Sequence, residues 1–330
     1  MNKRIFGADL LLLVTAAVWG FGFVAQRSGM RYVGPFAFNG IRFLLGSLSL
    51  VPLVAWRSRG QPKTTDPSAR RKTLFFSSFL AGSCLFAGVT LQQLGMMATT
   101  AGNAGFITGL YVIFTPLFGI FLGRKTGLPT WIGAVLNLLG LFFLSYSGSP
   151  GGVNPGDLVV VVSAVFWAFH VLIIDRLVQK NDPIALSSGQ FAFVGLYTLA
   201  AAFLVEPPLS AWLEKSGGGI ISSPYIYWKA FPVLIGDLAS GELPLSFISG
   251  AMIPILYGGL VSVGVGYTLQ TAAQRHAPPA HAAIILCLEG SFAALGGVLI
   301  LREPVEPGIV LGFALMLAGM FASQWGRLRE

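Results

Sequence analysis

The chain has 330 residues, of which 54% are hydrophobic and only 10% charged, at a mean hydropathy of +0.74. Soluble domains carry about 25% charged residues, so this composition excludes a water-soluble globular protein and makes lipid the apolar solvent. The net charge of +8 would suit a nucleic-acid partner, but the basic residues are biased to one side of the apolar runs, which argues against one.

A helix needs roughly 20 apolar residues to cross about 30 Å of hydrocarbon. Ten runs meet that requirement, at 8–27, 36–56, 73–95, 99–122, 128–147, 156–178, 184–205, 247–273, 279–301 and 306–325. They are continuous and too long for the alternating strands of a membrane barrel, so the predicted fold class is an all-α integral membrane protein. The opening Met-Asn-Lys-Arg resembles a secretory signal, but the run behind it has full span length and reads as a signal anchor. Cys84 and Cys287 fall inside spans, where they read as packing residues rather than a disulfide framework.

In chain order, Trp19 comes first, near the middle of span one. Tryptophan usually gathers at the membrane–water interface, so a mid-span position indicates either the wall of an internal cavity or helix packing. Arg42 lies within span two, where a charge costs roughly 2.5–3.5 kcal/mol on insertion scales. It is a candidate for coupling or gating, with structural pairing favoured over substrate contact. Gln92, Gln93 and Asn103 suit an outer vestibule or caps. In span four, Thr100, Ala104, Thr108, Tyr111 and Thr115 form a stripe followed by Pro116. Hydrocarbon cannot satisfy a run of hydroxyls, so the stripe faces protein or water. Ser163, Trp167 and His170 share one face of span six. Span eight adds Tyr257 and Tyr267, which with Trp19, Trp167 and Tyr111 make an aromatic-rich candidate cavity. Glu289 is central in span nine, and either exchanges protons during transport or caps backbone freed at Gly290. Pro52, Pro116 and Pro254 are candidate kinks, and Gly105-x-x-x-Gly109, Gly119-x-x-x-Gly123 and Gly308-x-x-x-Gly312 permit close helix contact.

The first five spans recur in the last five. Trp19 is followed by Pro35 as Trp167 is followed by Pro183, and the same shift pairs Arg42 with Gln190. An odd number of crossings per copy requires the second to insert upside down, giving two inverted-topology five-helix repeats at 1–148 and 149–330. The second carries an external insertion at about 206–246, rich in Pro and Gly, with an interfacial candidate at Tyr225-Ile226-Tyr227-Trp228. Ten spans put fifteen of the 21 Lys and Arg on the side of both termini and five on the other, with Arg42 inside a span. The positive-inside rule then places both ends in the cytoplasm, and the cluster from Arg57 to Lys72 reads as a topology determinant beside lipid headgroups.

The sequence contains no P-loop and no His/Cys/Glu cluster at metal-ligand spacing. It also has no Asp-rich motif for magnesium diphosphate. The expectation is therefore a non-enzyme, without cofactor or metal, that draws on a gradient.

Several stretches together resemble the drug/metabolite transporter superfamily, in its bacterial ten-span form with two EamA domains. They are Ala16-Ala17-Val18-Trp19-Gly20, Tyr111 to Phe118, Leu286-Cys287-Leu288-Glu289-Gly290-Ser291-Phe292, Leu301-Arg302-Glu303-Pro304 and Gly308 to Gly312. Where that family commonly has Leu-Glu-Pro, this chain has Leu288-Glu289-Gly290. The resemblance implies an inner-membrane carrier that exports small metabolites, amino acids or amphipathic compounds by alternating access. Two other readings stay open: a carrier of lipid- or nucleotide-linked sugars, and a non-transporting receptor or scaffold. The expected partners are a small-molecule substrate and membrane lipids; substrate identity and oligomeric state are not legible.

Overall fold

The computed structural model describes residues 3–30, 32–59, 66–99, 101–145, 155–215, 240, 245–301 and 307–325. Among them, eight stretches are long and apolar enough to cross a membrane, and Leu128–Phe143 and Pro307–Ser323 are shorter apolar helices. Together they make the ten spans of an all-α membrane protein. Large apolar side chains cover the outside, with Phe121 80%, Leu204 76% and Ile253 74% exposed. Water would penalise such a surface and lipid tails do not.

Spans one, two and three are single helices at Lys3–Gly29, Pro35–Arg59 and Pro67–Ala98. Span four is broken into Ala101–Thr108 and Tyr111–Phe121. Span five is Leu128–Ser145, span six Pro155–Leu177 and span seven Pro183–Lys215. Span eight joins Leu245–Leu256, a π-helical stretch Tyr257–Tyr267 and Thr268–Ala273. Span nine is broken into Pro279–Leu286 and Glu289–Leu301, and span ten is Pro307–Trp325. Span seven outruns its expected length: residues 206–215, read from sequence as external loop, continue the helix through Pro207 and Pro208. The interfacial candidate at Tyr225–Trp228 lies outside the described residues.

Packing repeats when the halves are exchanged. Span three packs on span six as span eight packs on span one; span one packs on span nine as span six packs on span four. Spans two and seven pair with each other, as do five and ten. Both of these pairs run antiparallel. A Cβ on Gly40 would stand 2.5 Å from Leu199, and one on Gly195 would stand 2.6 Å from Leu44, so small residues set how closely spans two and seven approach. At one end of this pair Glu206 accepts the backbone N–H groups of Phe36 (2.9 Å) and Ala37 (2.8 Å), capping span two from the end of span seven. At the other end Asp182 caps span seven through Ile184 and Ala185, each at 3.1 Å, and pairs with Arg57 at 3.1 Å.

The Asp182 end of the bundle also gathers Arg124, Arg176 and Arg275. Arg124 pairs with Asp175, Arg176 donates to the Leu122 carbonyl, and Arg275 donates to the carbonyls of Val178 and Asn181.

Candidate functional site

The two broken spans meet at their breaks. Span four is interrupted at Gly109-Leu110 and span nine at Cys287-Leu288, and the Cys287 thiol donates to the Gly109 carbonyl at 3.6 Å. Each second half-helix therefore begins in the interior of the bundle, one with Tyr111 and the other with Glu289. The Tyr111 hydroxyl faces the Glu289 carboxyl. Span one reaches this point through close contact: a Cβ on Gly20 would lie 2.5 Å from the Phe292 Cβ and 2.7 Å from the Glu289 carbonyl oxygen.

Three rings form the wall opposite. Trp19 lies 4.4 Å from Tyr267 and 6.2 Å from Trp167, while Trp167 and Tyr267 are nearly parallel at 6.1 Å. The indole N–H of Trp19 donates to the Ser262 carbonyl (3.2 Å) on the π-helical stretch. That seat depends on Gly266, where a Cβ would stand 2.7 Å from Trp19 Nε1. The i→i+5 winding of a π stretch displaces carbonyls from their usual partners, which suits them to accept from neighbours.

Between these walls lies a cavity of about 30 Å³, bordered by Trp19, Phe23, Gln26, Arg42, Gln92, Thr108, Tyr111, Trp167, Val171, Ser262, Tyr267, Gln270, Leu286 and Glu289. A water needs roughly 10–15 Å³ by this measure, so the chamber in this conformation admits a water or two and no larger solute. Its lining is polar beyond what packing requires. Gln92 donates to the Thr108 hydroxyl at 3.0 Å. The Trp167 indole N–H and the amide oxygens of Gln26 and Gln270 have no hydrogen-bond partner among the described residues.

Arg42 is buried; its Nε donates to Asn39 Oδ1 at 2.9 Å and its guanidinium lies 5.6 Å and 5.1 Å from the Phe38 and Phe43 ring centres. Aromatic faces offer a cation partial compensation for lost water. Among the described residues neither Arg42 nor Glu289 has an oppositely charged partner within 4.0 Å. The structural pairing expected for Arg42 is thus with an amide and two rings, not a carboxylate.

Of the residues singled out from sequence, Trp19, Arg42, Gln92, Thr108, Tyr111, Trp167, Tyr267 and Glu289 border this chamber. His170 lies one layer out: its Nε2 is 3.0 Å from Gln190 Oε1, and its ring meets those of Trp167 and Tyr267 edge-on. Tyr257 lies elsewhere, donating to the Val18 carbonyl at 2.8 Å. Thr115 borders a different cavity nearer the Arg124 end. The side chain of Asn103 and all of Thr100 lie outside the described residues. Not singled out from sequence are Phe23, Gln26, Val171, Ser262, Gln270 and Leu286. Gln26 lies seven residues after Trp19 and Gln270 three after Tyr267, so helical spacing marks both. Ser262 contributes a backbone carbonyl, for which side-chain patterns carry no signal.

A family model described as the EamA-like transporter family matches residues 6–146 and again 154–323. An uncharacterized transporter of Archaeoglobus fulgidus is 28% identical over 329 residues, covering 97% of this chain and 87% of that protein. Bacillus subtilis YoaV, also an uncharacterized transporter, is 21% identical with 94% of each chain covered. Human solute carrier family 35 member F6 is 27% identical over 62% of this chain and 62% of its own length. A solved structure described only as a crystal structure of a protein superposes with a TM-score of 0.72 at 17% identity, covering 98% of this chain and 99% of its own, a likeness of fold.

Proposed function

The chain belongs to the EamA-like transporter family, and from that premise we propose that it is a secondary active exporter. Its substrates are small metabolites, amino acids or amphipathic compounds, moved through the central chamber by alternating access. The two halves are the transport units, inverted relative to each other. Supporting this are the antiparallel course of spans two and seven and of five and ten, and the five crossings in each half. The membrane is a bacterial inner membrane, with both termini in the cytoplasm on the strength of the basic-residue bias. Impermeant labels that reach the two ends from opposite faces of sealed vesicles would sink that topology.

The observation that carries the reading is the convergence, around one interior chamber, of two ionisable side chains without ionic partners, three polar atoms without hydrogen-bond partners and three aromatic rings. Buried polar groups are almost always satisfied, so a cluster of exceptions at mid-membrane fits a site whose partners arrive with the solute. The closed chamber is the occluded state of that cycle, widening when the halves rock apart. Glu289, beside Tyr111 at the start of a half-helix, couples the cycle to proton movement, and Arg42 gates or orients the solute.

The test is transport by protein reconstituted in sealed vesicles, screened across amino acids, nucleosides and cationic dyes under an imposed proton gradient. Glu289→Gln removes the proton-exchanging group and Trp167→Ala removes one wall. Both are expected to insert and fold but to lose gradient-driven transport by at least tenfold. Wild-type rates in both variants would remove these residues from the mechanism.

A further inference from the structure

A second cavity, of about 280 Å³, lies at the end of the bundle where the arginines gather, between the second half of span four and the start of span nine. Thr115, Gly119, Arg124, Lys125, Pro279 and Ala280 border it. Two features there favour a negative ligand and a third offers it a hydrogen bond. The half-helix Pro279–Leu286 begins at this cavity, and Pro278 supplies no side-chain cap, so its first N–H groups and the positive end of its dipole face the space. The Thr115 hydroxyl borders the cavity, is fully buried and has no hydrogen-bond partner among the described residues. Lys125 has no ion pair among the described residues, and the nearby carboxylate, Asp175, is already held by Arg124. Arg176, the other charge here, is directed to the Leu122 carbonyl.

We propose that this vestibule binds an oxyanion, a carboxylate or a phosphate. Thr115 and the N-terminus of the span-nine half-helix supply hydrogen bonds, and Lys125 supplies the countercharge. Ligand pockets run from about 300 to 1,000 Å³, so the space lies at the small end of that range and suits a compact anionic group. The half-helix runs from the vestibule to Leu286 beside the central chamber, so an anion docked here holds one end of an element whose other end borders the transport site. The proposal goes beyond the transport reading and does not depend on it.

The experiment uses full-length protein in nanodiscs of neutral phosphatidylcholine, with thermal unfolding followed against inorganic phosphate and benzoate at constant ionic strength. Saturable stabilisation is expected for both anions. Thr115→Val and Lys125→Ala are each expected to raise the half-saturating concentration about tenfold, as loss of one charge-assisted contact does. Lys125→Arg retains most of the effect. Glu289→Gln leaves anion binding unchanged, so failed transport in that variant and failed anion binding are separate outcomes. Repeating the titration in nanodiscs containing phosphatidylglycerol distinguishes the sources. If added phosphate no longer stabilises wild type there, a lipid headgroup fills the vestibule; if it still does, the ligand is a free solute. No saturable effect under any condition, or equal effects in wild type, Thr115→Val and Lys125→Ala, would overturn the proposal.

Discussion

At the scale of single residues, the chamber is defined by partners its side chains lack. Arg42 is held by Asn39 and bracketed by Phe38 and Phe43, an arrangement that secures its position while leaving its charge uncompensated by a carboxylate. Arg42→Gln keeps a polar group of similar reach and removes the charge. If the guanidinium contacts an anionic part of the solute, this variant raises KM about tenfold or more with little change in folded yield, since charge-assisted contacts contribute roughly 1.5–3 kcal/mol. An unchanged KM would confine Arg42 to helix packing. Two rings read alike in the sequence, Tyr257 and Tyr267, diverge for a local reason. Positions ten residues apart stand about 80° apart around an α-helix, so the two rings share no face even there, and the intervening π-helical winding does not realign them. Nothing in a hydropathy pattern announces that winding. Thr115 stands apart from Thr108 because the break at Gly109-Leu110 interrupts the hydroxyl stripe, so the two face different spaces.

At the scale of elements, the ten spans were legible because each apolar run must satisfy its own backbone in lipid, which fixes length and helicity together. Trp19 and Trp167 were legible as neighbours because equivalent positions in paired repeats meet at the axis between them. Span ends were less so. Glu206, which opened a supposed external loop, instead lies fully buried in a continuing helix and caps span two by accepting two of its backbone N–H groups. Glu206→Leu leaves those donors without an acceptor and is expected to destabilise the protein by about 1–3 kcal/mol, read as a lower unfolding temperature in detergent. Stability equal to wild type would mean that the start of span two is satisfied by other groups.

At the scale of the whole molecule, the halves interlock at both ends of the bundle: Glu206 reaches span two at one end and Asp182 pairs with Arg57 at the other. The broken helices cross between these two clasps, and the Cys287 thiol lies in that crossing, buried and bonded to the Gly109 carbonyl. The chain has only two cysteines, so replacing Cys84 with Ser leaves a lone native reporter at the fulcrum. A shielded thiol is inert until water and reagent reach it. Alkylation of Cys287 should therefore proceed slowly in resting protein and several-fold faster during turnover, turning an unremarkable packing residue into a clock for the separation of the two halves. A rate indifferent to turnover would show that the crossing stays shut while solute passes.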